Sequence, residues 1–394
     1  MGKVNITRAI GQLGRTQPTD DAVICMVLSG VAVSGKIALG SPTQIYGTAA
    51  LNTLGITNGN NPLAFKEIND FYAKAGEGAE LNFMLISDAT SLTTICDKTQ
   101  DLARKLIDFT NGRAVIFIVN KKVPTGYTAT ITSGLDADVW AAITKANELV
   151  ELYAAENTPI VVALPALGFA IANIAAMPDR STLSNDSVAV NAFCETNNGI
   201  PSMGILAGWL AKHQVHQNIG RVASGKISDT AFLPDATAAN ATAVKNARTA
   251  LENKGLLFPV KIGARSGYYL NDDPTMTAIN SDYSSISWNR IINKAIRIAN
   301  DKLVERLNDD VDLDPITGKI DSSVASDWES DVEAAIRNLM IKVSGSKKAE
   351  ISGVKCTVDV NSDIVNDKVD ASVSIVRKGQ SKIINLKIGY VTSI

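Results

Sequence analysis

The chain has 394 residues, 45% of them apolar and 20% charged, with a mean hydropathy of +0.08. At roughly 150 residues per domain it makes two or three folded domains, and its composition excludes wholesale disorder and collagen-like repetition. The 38 Lys and Arg against 40 Asp and Glu leave a net charge of −2, and aromatics are 5%, so neither a global field for nucleic acid or anionic lipid nor a base-stacking platform is expected.

In chain order, residues 1–20 are polar, with Val4, Ile6, Ala9 and Ile10 weakly alternating, and read as an extended arm. Ala22–Leu28 reads as a buried strand ending at Ser29–Gly30, and 30–62 as loop with short elements. Leu63–Ala75 is helix-like, Leu81–Ser87 a strand, Ser91–Thr110 a helix and Ala114–Val119 a strand. Asp136–Asn157 is a long helix and Pro159–Leu164 a strand. This alternation with β-branched runs predicts an α/β domain with a mostly parallel sheet covered on both faces. Helix-like pieces follow at 184–196, 203–214 and 236–253. Ser285–Asn308 is a strongly amphipathic helix, with Ile291, Ala295, Ile298 and Leu303 on one face, and Ala325–Ile341 a second helix. Three alternating segments, Val354–Val360, Val369–Val376 and Lys382–Val391, predict a closing β-meander. In the last of them Ile384, Leu386, Ile388 and Tyr390 share a face.

Ile160–Met177 is the one stretch that suggests a membrane span, but it holds Pro165, Gly168 and Asn173. A strand and a short helix fit it better. The first twenty residues contain no continuous apolar run of a secretory signal. Cys25, Cys96, Cys194 and Cys356 form no CxxC and read as buried free thiols of a reducing compartment.

Few constellations carry chemistry. Gly30–Lys36 and Gly220–Lys226 nearly match GxxxxGK[ST], but Ile37 and Ile227 replace the magnesium-binding hydroxyl. A P-loop-like nucleotide-binding enzyme is therefore the competing reading. Asp310, Asp312, Asp314 and Asp321 resemble a calcium loop, yet Pro315 stands where glycine is wanted and Asp321 where glutamate is. His213 and His216 form HxxH with no evident third ligand, and Ser202 and Ser266 lie outside a GxSxG elbow. No catalytic residue, metal or cofactor is assigned.

An ordered set of signatures remains. Pro201–Ser–Met–Gly204–Ile–Leu–Ala–Gly208 leads through a helix to Gly220–Arg221. Leu251, Gly255 and the LLFPVKIGARSGYY segment follow, with Gly263, Arg265 and Gly267, then the long helix Ser287–Asn308, a second helix and the terminal strands. In this order, over residues 195–394, the chain resembles the contractile tail-sheath proteins of bacteriophages and phage-derived injection machines. It departs from them at Asn218–Ile219–Gly220–Arg221, where a tryptophan-like residue and more prolines are usual. A different polymeric virion shell or tube protein is a further alternative, disfavoured by the central α/β region.

The resemblance implies an α/β fold with a C-terminal two-helix and β-meander region between extended arms. The division would be 1–20 as N-terminal arm, 21–270 as sheath domain with outward loops (30–62 and 165–200), 271–380 as tube-facing domain and 381–394 as C-terminal arm strand. It implies a non-enzymatic subunit made in the bacterial cytoplasm and assembled into a virion tail or injection particle. Its partners would be copies of itself in stacked hexameric rings, an inner tube protein, and baseplate and tail terminator proteins, without nucleic acid or direct membrane insertion. The arms, Val4, Ile6 and Ile10 at one end and Ile384, Leu386, Ile388 and Tyr390 at the other, would add strands to neighbouring subunits. A joint of five backbone hydrogen bonds at about 0.5–1.5 kcal/mol each holds by only a few kcal/mol, which suits rings that move relative to one another. Arg337, Lys342, Lys347 and Lys348 would meet an acidic tube surface, although a solvated basic helix end explains them equally well.

Overall fold

The structure is a computed structural model and describes residues 20–342, 348–382 and 384–386. The chain divides into two compact units, residues 1–301 and 302–394.

The first unit is built on a seven-stranded sheet. Its strands are β1 (Ile24–Ser29), β2 (Thr43–Ile45), β3 (Leu81–Ile86), β4 (Ile116–Asn120), β5 (Val161–Pro165), β6 (Val188–Asn191) and β7 (Leu256–Leu257), in the order β7-β6-β5-β4-β1-β3-β2. All neighbours run parallel except β2, which is antiparallel to β3. Every residue of β1, β3, β4, β5 and β6 is buried, as expected when helices cover both faces. The pleat splits these residues between two cores: Cys25, Val27, Phe117 and Val119 face one layer, and Ile24, Met26, Leu28, Ile116 and Ile118 the other. The fold is the α/β class that the sequence predicts.

Helices α1 (Ala49–Leu54) and α2 (Pro62–Ala75) follow β2, and α3 (Leu92–Cys96) and α4 (Ala103–Asp108) follow β3. Further on come α5 (Ala137–Ala155), α6 (Met203–Lys212), α7 (Thr242–Asn246), α8 (Arg248–Asn253) and α9 (Ile286–Val304). Pro62 opens α2, where the missing N–H costs nothing. Helix α6 lies against α2 so closely that a Cβ on Gly204 would sit 2.0 Å from the Glu67 carbonyl oxygen, and one on Gly208 2.3 Å from that of Phe71. Both glycines are therefore required by backbone contact.

Three predicted helices are corrected. Ser91–Thr110 is broken after Cys96, because Asp97 Oδ1 accepts from Thr99 N at 2.9 Å and Thr99 Oγ1 at 2.8 Å, a local turn that competes with the helix. The 184–196 segment is not helical: Val188–Asn191 pairs parallel to β5 as β6. The 236–253 segment starts helix only at Thr242, since Ala236 has φ +64° and Asp235 accepts from Thr237 N at 3.0 Å. Ile160–Met177 is β5 followed by a 3-10 turn, Ile171–Ala176. Among the described residues no helix is long and apolar enough to cross a membrane.

The second unit holds α10 (Ser322–Ile336), extended by a π-helical turn at Arg337–Ile341, and the antiparallel hairpin β8 (Ile351–Val358) with β9 (Ala371–Arg377). Asp321 caps α10, accepting from Ser323 N at 2.8 Å. Strand β8 alternates, with Ile351, Val354, Cys356 and Val358 buried, whereas no residue of β9 is fully buried. Of the third expected strand, the described residues 384–386 are not in a strand.

Candidate assembly surfaces

The motifs that could have carried chemistry do not assemble. Gly30–Lys36 follows β1 but folds back on itself, Val33 and Ile37 exchanging backbone bonds of 2.9 and 3.0 Å, and the next helix begins only at Ala49. Gly220–Lys226 contains a 3-10 turn and opens no helix; Lys226 pairs with Asp229. Neither offers the row of helix N-terminal amides that holds a phosphate. His213 is buried, its Nδ1 lies 2.6 Å from the Trp209 carbonyl, and burial holds its pKa below the usual imidazole value. Asp314 turns inward to accept from Thr317 N at 2.7 Å and Ile316 N at 2.9 Å. Ser202 is buried and accepts from Glu195 N at 2.8 Å, and Ser266 lies exposed in a turn. Among the described residues no group of three His, Cys, Asp or Glu could hold a metal ion. All four cysteines are free and buried. A half-open groove of about 510 Å³ is lined by Phe65, Lys66, Lys122 and Ile200, but Lys66 is engaged by Asp70 and by Glu195 at 3.1 Å.

Surfaces suited to assembly are clearer. Within the hairpin, Cys356 N donates to Glu333 Oε1 at 3.0 Å and Val358 N to Glu329 Oε1 at 2.9 Å. Two carboxylates of α10 thus occupy the outer edge of β8. Those two N–H groups point away from β9, so their partners across the ladder, Val373 and Ala371, also turn their main-chain groups outward. The outer edge of β9 has no partner strand among the described residues. A bare edge of this kind is a template for another strand.

Of the expected arm residues, Ile384 and Leu386 are 81% and 77% exposed; Val4, Ile6, Ile10, Ile388 and Tyr390 lie outside the described residues. Arg337, Lys342 and Lys348 are exposed, and Glu350 N donates to Met340 O at 2.7 Å, bringing the segment after Lys348 against the π-helical turn that Arg337 opens. Arg337 pairs with Glu333 at 3.3 Å; Lys347 lies outside the described residues. The capping of β8 by Glu329 and Glu333 has no signal in the sequence beyond two glutamates four apart, and the sequence reading missed it.

Solved chains of contractile injection particles share this fold. The structure is similar to a chain of the anti-feeding prophage baseplate at 14% identity and TM-score 0.60, covering 100% of this chain and 99% of that one. It is similar at 14% identity and TM-score 0.59 to the helical sheath of the same particle in its contracted state, covering 98% of each chain. The contracted PVC sheath of an extracellular contractile injection system matches at 12% and TM-score 0.57, over 100% and 98% of the two chains. The chain belongs to the DUF2586 family, matching its N-terminal domain over residues 1–274 and its C-terminal domain over 282–394. No curated protein matches its sequence.

Proposed function

We propose that this chain is the structural subunit of a contractile tail sheath, polymerising as stacked hexameric rings around an inner tube and contracting to drive the tube through a target envelope. The observation that carries the reading is a fold shared with solved sheath structures over nearly the whole chain, together with a hairpin stoppered at one edge and, among the described residues, bare at the other. The bare edge of β9 receives an arm from a neighbouring subunit. The arm residues are Val4, Ile6 and Ile10 at one end, and Ile384, Leu386, Ile388 and Tyr390 at the other. Arg337, Lys342, Lys347 and Lys348 face the tube, where a basic surface fits an acidic one. The division of labour is an arm at 1–20, the sheath domain at 21–270, the tube-facing domain at 271–380 and the closing arm at 381–394. The work of contraction comes from the surface buried and the ion pairs formed between subunits in the shorter lattice rather than from a cofactor or nucleotide.

Negative-stain electron microscopy of the full chain and of a variant lacking residues 1–20 tests this. Long hollow tubes from the full chain, lost on truncation, support a sheath joined by its arms. Uniform small particles at every concentration overturn it.

A further inference from the structure

We infer that the half-open groove at the carboxyl ends of the large sheet is a binding site for a small apolar carboxylate, seated with its head against Lys122. The inference stands whether or not the chain is a sheath subunit.

The strand order places the groove. β3 and β2 lie on one side of β1, and β4 to β7 on the other, so the winding of the sheet reverses between β1 and β4. In open α/β sheets such a reversal leaves a crevice beyond the carboxyl ends of the strands, where ligands bind. Here the two strand ends are tied together, Lys122 N donating to Ser29 Oγ at 2.6 Å. The loop between β6 and α6 is tied to the same place, since Asn120 Nδ2 donates to Pro201 O at 2.8 Å. Between that loop, Lys122 and the first turns of α2 lies the groove, with a volume of about 510 Å³. That is the size of a small-molecule pocket.

The two ends of the groove differ in charge. Pro62 and Asp70 both line it, and on α2 they stand about 12 Å apart. At the Asp70 end the charges cancel. Lys66 pairs with Asp70 and, at 3.1 Å, with Glu195, and the same two carboxylates also act on Lys74. At the Pro62 end they do not. Lys122 is exposed, and its ammonium has no carboxylate partner among the described residues. Asn198 Oδ1 accepts from Ile200 N at 3.1 Å, which leaves its amide N–H groups to donate. Asn61 spends its side chain on Val31, accepting from N at 2.6 Å and donating to O at 3.1 Å, so α2 starts without a side-chain cap. The positive end of the helix dipole thereby adds to the Lys122 charge. Leu63, Phe65 and Ile200 give the trough its apolar walls. An ammonium and an amide donor at one end of an apolar trough select an apolar body with an anionic head. A cation is repelled by Lys122, and a neutral molecule of the same shape gains nothing from it.

Isothermal titration calorimetry of the full chain, below any concentration at which it sediments as polymer, tests the site with octanoate, octanamide and octylammonium. One octanoate should bind per chain, about tenfold tighter than either analogue. Lys122→Gln should bring octanoate to within about twofold of octanamide. Ile200→Ser should weaken octanoate and octanamide alike, by about fivefold. Lys105→Gln, on α4 at the opposite face of the sheet, should change none of these affinities. Thermal melting confirms that each variant folds, and the comparison of the three compounds on wild type needs no variant. Equal binding of the three compounds, or no saturable binding of octanoate to wild type, overturns the inference. So does a preference for octanoate that survives Lys122→Gln. If octanoate does not bind, and Lys122→Gln and Ile200→Ser instead raise the critical concentration for polymerisation, the groove is a contact between copies and the inference falls with it.

Discussion

Glu67 is a carboxyl group buried in the seam between α2 and α6, where it accepts from the Gly204 N–H. Burial pushes its pKa up to about 7, against the pull of Lys66 and of that N–H. The folded value lies above the unfolded one, so the folded state holds the proton longer, and stability falls as pH rises between about 4.5 and 7. Relative to Glu67→Gln, which keeps an acceptor and cannot ionise, wild type should lose on the order of 3 kcal/mol across that window, seen in denaturant unfolding at a series of pH values. His213, whose pKa is lowered by burial, acts in the opposite sense in both proteins and cancels in the comparison. The same seam makes Gly204→Ala costly: its Cβ meets the Glu67 carbonyl at 2.0 Å, and α6 must lift off α2. A loss of about 3 kcal/mol or more is expected in the same assay, as for other overpacked contacts where backbone meets backbone.

At the scale of elements, long-range caps decide where helices start and strands stop. Asp138, at the start of α5, reaches back to α3, accepting from Leu92 N at 2.7 Å and from Thr93 N at 3.0 Å. Asp138→Ala should cost about 1–2 kcal/mol and speed amide exchange in α3, since both N–H groups lose their acceptor. Removing Glu329 and Glu333 together should uncover the β8 edge, costing about 1 kcal/mol for each lost bond and promoting off-pathway association, readable by light scattering. None of these contacts is legible in sequence, because their partners lie 23 to 46 residues apart. Elements with strong local signals were legible: the helix-like Leu63–Ala75 stands in α2, Asp136 marks the start of α5, and the β-branched runs of β1, β4 and β5 stand in a parallel sheet. Errors fell where periodicity is ambiguous or a side chain competes locally. Val188–Asn191 is too short to tell strand from helix by spacing, and Asp97 interrupts a stretch whose apolar residues keep helical spacing. Of the candidate surfaces, the exposed bases at Arg337, Lys342 and Lys348 were visible as a charge cluster, but which hairpin edge is bare depends on where α10 places its carboxylates.

For the whole molecule, the two units differ in how much apolar surface they bury. The first has a large core on each face of its sheet, whereas one apolar cluster of the second is built on Ile320, Ala325 and Val358 around a two-stranded hairpin. Small cores on two strands open locally at low cost. Hydrogen exchange should therefore show the amides of β8 and β9 exchanging at least tenfold faster than those of β1 and β4 in the unassembled chain, and equal protection would argue against independent opening. The hairpin has a further consequence. With glutamates filling one side and, among the described residues, no strand on the other, it has the form of a connector of valence one: a strand added to it could come from a single direction only, and the order of strands in any composite sheet would be fixed before the pieces meet. If subunits are linked in that way, as proposed, the lattice they form has a definite sense, and the plugged side would keep them from stacking edge to edge without limit.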